Sequence, residues 1–172
     1  MVVRPVHSCA PKISAPVLCA VLLLGVFPLS GEENRDGVQH QNVPGWIIGL
    51  FSAKKQHAQY EIVFTLNPFY LRGDFNGDGK PDIAILVRNK QSGKIGIALC
   101  HSRTNEIFFV GAGTPLGNGG DDFSWMDTWQ VYGKAPASAP AQAEALLVEK
   151  SESGGGLIYW DGKKYVWHQH GD

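Results

Sequence analysis

One short stretch of the sequence spaces oxygen-bearing side chains as calcium ligands are spaced. The side chains are Asp74, Asn76, Asp78 and Asp82. Calcium takes about six to eight hard oxygen ligands, which a tight loop supplies from alternating carboxylates and from a backbone carbonyl, here expected at Lys80. Gly79 stands where such a loop must bend sharply. The sequence therefore predicts a structural Ca²⁺ site formed by Asp74, Asn76, Asp78, Lys80 (through its carbonyl) and Asp82.

This pattern departs from the helix–loop–helix calcium site at its twelfth position. That place is Ile85, inside an apolar run, where the helix–loop–helix site has a bidentate Glu. The flanking residues are typical of strands, so the loop is expected to join two strands. A metal-free β-turn is the alternative interpretation, since Asp, Asn and Gly are also the best turn-forming residues.

The stretch from Gly73 to Val87 resembles a single FG-GAP/VCBS-type repeat, the repeat of integrin-like propeller blades and of many secreted bacterial proteins. The resemblance covers about residues 69–88 and implies calcium at the same five positions. The motif occurs once in this chain, whereas a propeller needs about four or more blades. A propeller is therefore not expected, and the chain more closely resembles small exported bacterial proteins that carry a solitary copy.

Aromatic and acidic residues between 121 and 132 offer two further candidate sites. Trp125, Trp129 and Tyr132 form an aromatic cluster that could bind a glycan or protein partner, or could pack in the core. Asp121, Asp122 and Asp127 lie beside them, and paired carboxylates could act in glycan hydrolysis. Acids in a glycine-rich loop are more often solvated, so no catalytic residue is assigned.

The N-terminus is typical of an export signal. Arg4 and Lys12 precede an uncharged, mostly apolar run at residues 13–30, which small residues and then acids follow. An uncleaved membrane anchor is the alternative, although prolines interrupt the run. The predicted organisation is a signal peptide at 1–31, a flexible lead-in at 32–44 and one β-rich domain at 45–172, secreted or periplasmic.

Composition narrows the possible partners and the means of stabilisation. The formal net charge is -1 and the 15 basic residues are scattered, so no basic stripe for nucleic acid is present. No membrane contact is expected beyond the export signal. Removal of residues 1–31 leaves Cys100 as the only cysteine, which is expected to be a small buried residue. The domain would then depend on its core, or on a metal, rather than on a disulfide.

The hydrophobic pattern predicts an α+β, mainly β fold. Trp46, Ile47, Leu50 and Phe51 suggest one short helix, and later apolar runs alternate with turn signals. Strands are predicted around Ile62–Leu66, Asp82–Arg88, Lys94–Cys100, Glu106–Val110, Glu144–Lys150, Gly156–Trp160 and Lys163–His168. The expected architecture is a single antiparallel meander sheet of about six to seven strands.

Three functions follow from these features. The leading hypothesis is an exported, non-enzymatic domain with one structural calcium and a binding or surface role. The first alternative is a periplasmic interaction or inhibitor protein that uses the region of Trp125 and Trp129. The second is a small hydrolase that acts on glycans through its loop carboxylates.

Overall fold

The computed structural model describes residues 1–2, 42–133 and 135–171. All but the first two residues of the predicted signal peptide, and most of the predicted lead-in, lie outside the described residues. Every element named below belongs to the unit formed by residues 34–172. Within the described ranges, no helix is long and apolar enough to cross a membrane.

Among the described residues, one α-helix precedes nine strands. The helix α1 spans Gly45–Ala53 and confirms the predicted short helix. The strands are β1 (Tyr60–Ile62), β2 (Tyr70–Gly73), β3 (Asp82–Asn89), β4 (Ile95–His101), β5 (Glu106–Gly111), β6 (Thr128–Tyr132), β7 (Ala145–Lys150), β8 (Gly154–Trp160) and β9 (Tyr165–His170). All of their pairings are antiparallel.

The strands form two sheets, so the prediction of a single sheet of six to seven strands was wrong. In the five-stranded sheet, β1 and β2 pair with opposite halves of β3, and β4 and β5 follow. The four-stranded sheet is the meander β6–β7–β8–β9. The physical reason lies in β3, where every residue from Ile83 to Val87 is buried. A strand that is apolar on both faces needs a cover on both faces, and one helix can cover only one.

Two apolar layers cover the two faces of the five-stranded sheet. On one face, Ala84, Leu86 and Leu99 pack with Leu146, Val148 and Ile158 of the other sheet. On the opposite face, Ile47, Leu50 and Phe51 of α1 pack with Ile83, Ile85, Val87 and Cys100. Cys100 is completely buried, as predicted.

A third layer covers the outer face of the four-stranded sheet. The connection from β6 to β7 contains residues 135–143, here called the strap. Ala135 and Ala139 of the strap pack against a cluster that includes Leu157 and Tyr159. The hydroxyl groups of Ser138 and Tyr159 also form a hydrogen bond of 2.8 Å. The strap thus has a defined place against the sheet.

Candidate metal centre

The acidic loop joins β2 to β3, which confirms the predicted strand–loop–strand setting. Gly73 and Asp82 are register partners, so the two ends of the loop lie side by side. Phe75, the second loop residue, is only 1% exposed and belongs to the core between the sheets. The buried ring of Phe75 therefore anchors the loop to the core. The polar side chains on either side of it in the sequence remain within the loop itself.

The carboxylate of Asp74 organises the backbone of the loop. Its Oδ1 accepts hydrogen bonds from the N–H groups of Gly77 (2.8 Å) and Asp78 (3.0 Å), and its Oδ2 accepts one from Gly79 (2.8 Å). Gly77 and Gly79 have φ angles of 77° and 79°, which only glycine adopts without strain. Because an ionised carboxylate binds N–H groups strongly, the loop is folded tightly around this side chain.

Asn76 and Asp78 face each other across the loop. Asn76 Oδ1 accepts a hydrogen bond from the N–H of Asp78 at 3.0 Å, and its Nδ2 donates to Asp78 Oδ2 at 3.3 Å. Asp78 Oδ1 accepts the N–H of Lys80 at 2.9 Å. The guanidinium of Arg103 stands 4.0 Å from Asp78 Oδ2 and is largely exposed. The second oxygen of Asp78 therefore points to the open side of the loop.

Asp82 has the most unusual environment of the loop residues. It is completely buried, and its Oδ1 accepts the N–H of Ser102 at 2.9 Å. Its Oδ2 is also buried and has no hydrogen-bond partner among the described residues. Burial raises the pKa of Asp82 to about 6, and the charges of Asp78 and Asp74 contribute to the increase, while the backbone N–H groups of Ser102 and Asn76 oppose it. A carboxylate oxygen in such a place needs a cation or a proton.

These residues fit calcium in their chemistry. All of the candidate side-chain donors are oxygens, and three of the side chains are carboxylates that influence one another electrostatically. Within the described ranges, no three His, Cys, Asp or Glu side chains are already arranged as a metal-binding group. The contact between Asn76 Nδ2 and Asp78 Oδ2 satisfies an oxygen that calcium would use. Calcium would hold the loop through Asp74, Asn76, Asp78, Asp82 and the carbonyl of Lys80, in competition with that contact.

Glu144 is a residue of this site that the sequence analysis missed. Its Oε2 accepts the N–H of Asp74 at 2.6 Å, and its own N–H donates to the carbonyl of Asp74 at 2.8 Å. The strap before it crosses the loop closely, since a Cβ added at Gly77 would lie 2.9 Å from Pro140 Cβ. The two partners are 70 residues apart, and only their arrangement in space brings them together.

Replacing Glu144 with Ala is expected to destabilise the protein by about 1–3 kcal/mol, since it removes a charged acceptor from a partly buried N–H. Glu144→Gln keeps an oxygen acceptor and should lose less. Urea unfolding of both variants measures the difference, with Glu106→Ala at an exposed position of β5 as control. Equal stability of Glu144→Ala and the unmodified protein would show that the contact does not hold the loop.

The aromatic residues singled out in the sequence do not form one surface. Trp129 is 3% exposed and belongs to the core between the sheets, and its indole N–H donates to the carbonyl of Pro68 at 3.0 Å. Tyr132 is exposed and contacts the ring of His170. Trp125 is half-buried and packs against Phe123 and Trp167. Of the three, Trp125 and Tyr132 can reach a ligand, in separate places.

The acids considered for glycan hydrolysis each have a structural contact. Asp121 pairs with Lys94. Burial raises the pKa of Asp122, but hydrogen bonds from the Ile95 and Ser124 backbones and the charge of Lys94 outweigh it, so that pKa is lowered. Hydrogen bonds from Ser151, and then Lys150, lower the pKa of Asp127. A general acid in glycoside hydrolysis needs a raised pKa, so no observation here favours that chemistry.

Compared with family models, with curated proteins and with solved structures, the chain matches none.

Proposed function

We propose that the chain is an exported, non-enzymatic binding domain in which the loop from Asp74 to Asp82 holds one structural calcium ion. The observation that carries this proposal is the buried, unpartnered Oδ2 of Asp82, close enough to two other carboxylates for their charges to raise its pKa. Burying a carboxylate oxygen without a partner is strongly unfavourable, and a divalent cation removes that penalty while it neutralises the neighbouring acids.

The role of the ion would be to fasten the β2–β3 connection to its surroundings. Asp82 is bound to the backbone after β4 through Ser102, and Asp74 is bound to the end of the strap through Glu144. Calcium would thereby stabilise contacts that reach both sheets. The resemblance to an FG-GAP/VCBS-type repeat supports the same ligands, and the predicted signal peptide supports export to the periplasm or beyond.

Calcium titration of the EDTA-treated protein tests the proposal. We expect saturable heat of binding and a higher melting temperature, with about 2.7 kcal/mol of added stability when calcium is at about 100 times its Kd. Asp78→Asn keeps the oxygen that accepts the Lys80 N–H but removes a charge, and it should weaken binding by about tenfold or more.

A matched control comes from another Asp–Gly pair in the chain, Asp161–Gly162. Asp161 lies in the β8–β9 turn and accepts the N–H groups of Lys163 and Lys164, outside the proposed site. Asp161→Asn should leave calcium binding unchanged. The calcium proposal is overturned if millimolar calcium gives no heat of binding and no change in melting temperature.

A further inference from the structure

We propose that a groove at the end of the four-stranded sheet is a binding site for a neutral saccharide. The groove lies between the start of β8, the end of β9 and the turn near Gly119, and it has a volume of about 390 Å³. The side chains that line it include Asn118, Trp125, Lys150, Ser153, Trp167 and Gln169. A volume of this size is enough for a small ligand.

Glycines hold the ring of Trp167 in a fixed position in this groove. A Cβ added at Gly156 would lie 2.1 Å from Cζ2 of the indole, and one added at Gly119 would lie 2.7 Å from Cζ3. A Cβ at Gly117 would approach the Trp167 Cβ at 2.8 Å. The side chain of Trp167 therefore occupies the space that a Cβ at any of these three glycines would need. The ring remains half-buried, so its position is fixed before any ligand arrives, which lowers the entropic penalty of binding.

The two indoles of the groove offer apolar surface rather than hydrogen-bond donors. Trp125 and Trp167 are arranged edge to face, with centroids 6.2 Å apart and planes at 80°. The Nε1–H of Trp125 donates to the carbonyl of Gly119 at 3.2 Å, and that of Trp167 donates to Gln169 Oε1 at 3.3 Å. What remains for a ligand is the electron-rich surface of the rings, which attracts weakly positive C–H groups.

The rim of the groove supplies neutral hydrogen-bonding groups. The side chains of Asn118 and Ser153, and the amide nitrogen of Gln169, make no hydrogen bond within the described residues. Lys150 is the single charged lining residue, and its Nζ lies 3.3 Å from Asp127 Oδ2.

This charge pattern selects the chemical class of the ligand. A cationic ligand would be repelled by Lys150 and would find no acidic side chain among the lining residues. An anionic ligand would have to compete with Asp127 for Lys150. A sugar ring presents C–H groups on its faces and hydroxyl groups at its edges. It therefore matches indole surfaces surrounded by amides and a hydroxyl, without any charge.

The groove and the calcium loop lie at opposite ends of β7. Ala145 follows Glu144 at the loop, whereas Lys150 lines the groove. At about 3.3 Å per residue, the strand separates the two ends by about 17 Å. Saccharide binding does not rest on calcium, and we expect it to persist in EDTA.

Titration of the full-length protein with cellohexaose, chitohexaose and laminarihexaose tests the site, by tryptophan fluorescence and by calorimetry. We expect saturable binding of at least one of the three. Trp125→Ala should weaken it by about tenfold or more, because half of the aromatic surface is lost. Asn118→Ala and Ser153→Ala, which leave both indoles and their hydrogen bonds in place, should each weaken it by about two- to tenfold.

A variant outside the groove serves as the control. Trp46→Phe replaces an exposed tryptophan of α1, and it should leave the affinity unchanged. No saturable binding of any of the three hexasaccharides would overturn the proposal. Unchanged affinity in both rim variants would also overturn it, since the ligand would then bind elsewhere. Binding that is retained in EDTA, in a protein that shows no heat with calcium, would separate the two proposals.

Discussion

Without metal, the protein is expected to become less stable as the pH rises from about 4 to about 6. The Asp82→Asn variant should not show this decrease. The folded-state pKa of Asp82, about 6, lies above its ordinary value of 3.8 because the group is buried. Between these values the folded state binds more protons than the unfolded state, so the free energy of unfolding falls as the pH increases. About two pKa units correspond to about 3 kcal/mol.

Urea unfolding in EDTA over this pH range measures the effect. The variant keeps an oxygen to accept the Ser102 N–H and lacks a titratable group, so its profile should be flatter than that of the unmodified protein. Asp161→Asn, in an exposed turn, should leave the fall between pH 4 and 6 in place. Parallel profiles for Asp82→Asn and the unmodified protein would show that Asp82 carries no such penalty. Calcium should stabilise the unmodified protein more than Asp82→Asn.

Phe75→Ala should destabilise the protein by about 3–5 kcal/mol, the range for removing a buried aromatic ring. Phe75 is 1% exposed and packs in the core between the sheets, although it belongs to the acidic loop. The substitution would leave a cavity there and would release the loop from its anchor. Calcium affinity should therefore fall together with stability.

Chemical denaturation gives the size of the loss, and calorimetry gives the change in affinity. Phe69→Ala is the matched control, because Phe69 is 38% exposed and its ring contacts the ring of Phe64. It should lose much less stability. A loss of less than about 1 kcal/mol in Phe75→Ala would contradict the anchoring role of the ring.

The sequence predicted most of the strands because their hydrophobic patterns are local. The strands at 82–88, 94–100 and 106–110 agree with β3, β4 and β5 within about one residue at each end. The first strand was predicted at Ile62–Leu66, too far along the sequence, since β1 spans Tyr60–Ile62. β6 was missed because its aromatic residues were interpreted as a ligand surface. The number of sheets could not be predicted, since the pairing of strands depends on contacts between distant segments.

The part of the candidate metal site that is contiguous in the sequence was predicted. The spacing from Asp74 to Asp82 identified the loop, and its place between strands agrees with the structure. Glu144 was out of reach, because its partner lies 70 residues away. The groove was missed for the same reason, since Trp125 and Trp167 meet only when β9 folds beside the turn near Gly119.

The burial of Cys100 has a consequence for the redox chemistry of the domain. Burial, with a smaller contribution from the charge of Asp82, raises the pKa of this thiol to about 12. At neutral pH only about one molecule in a hundred thousand then carries the thiolate, the form that attacks disulfides and reacts with oxidants. The thiol is also enclosed between α1 and the five-stranded sheet, so we expect the folded domain to resist thiol exchange in a reducing or an oxidising compartment alike.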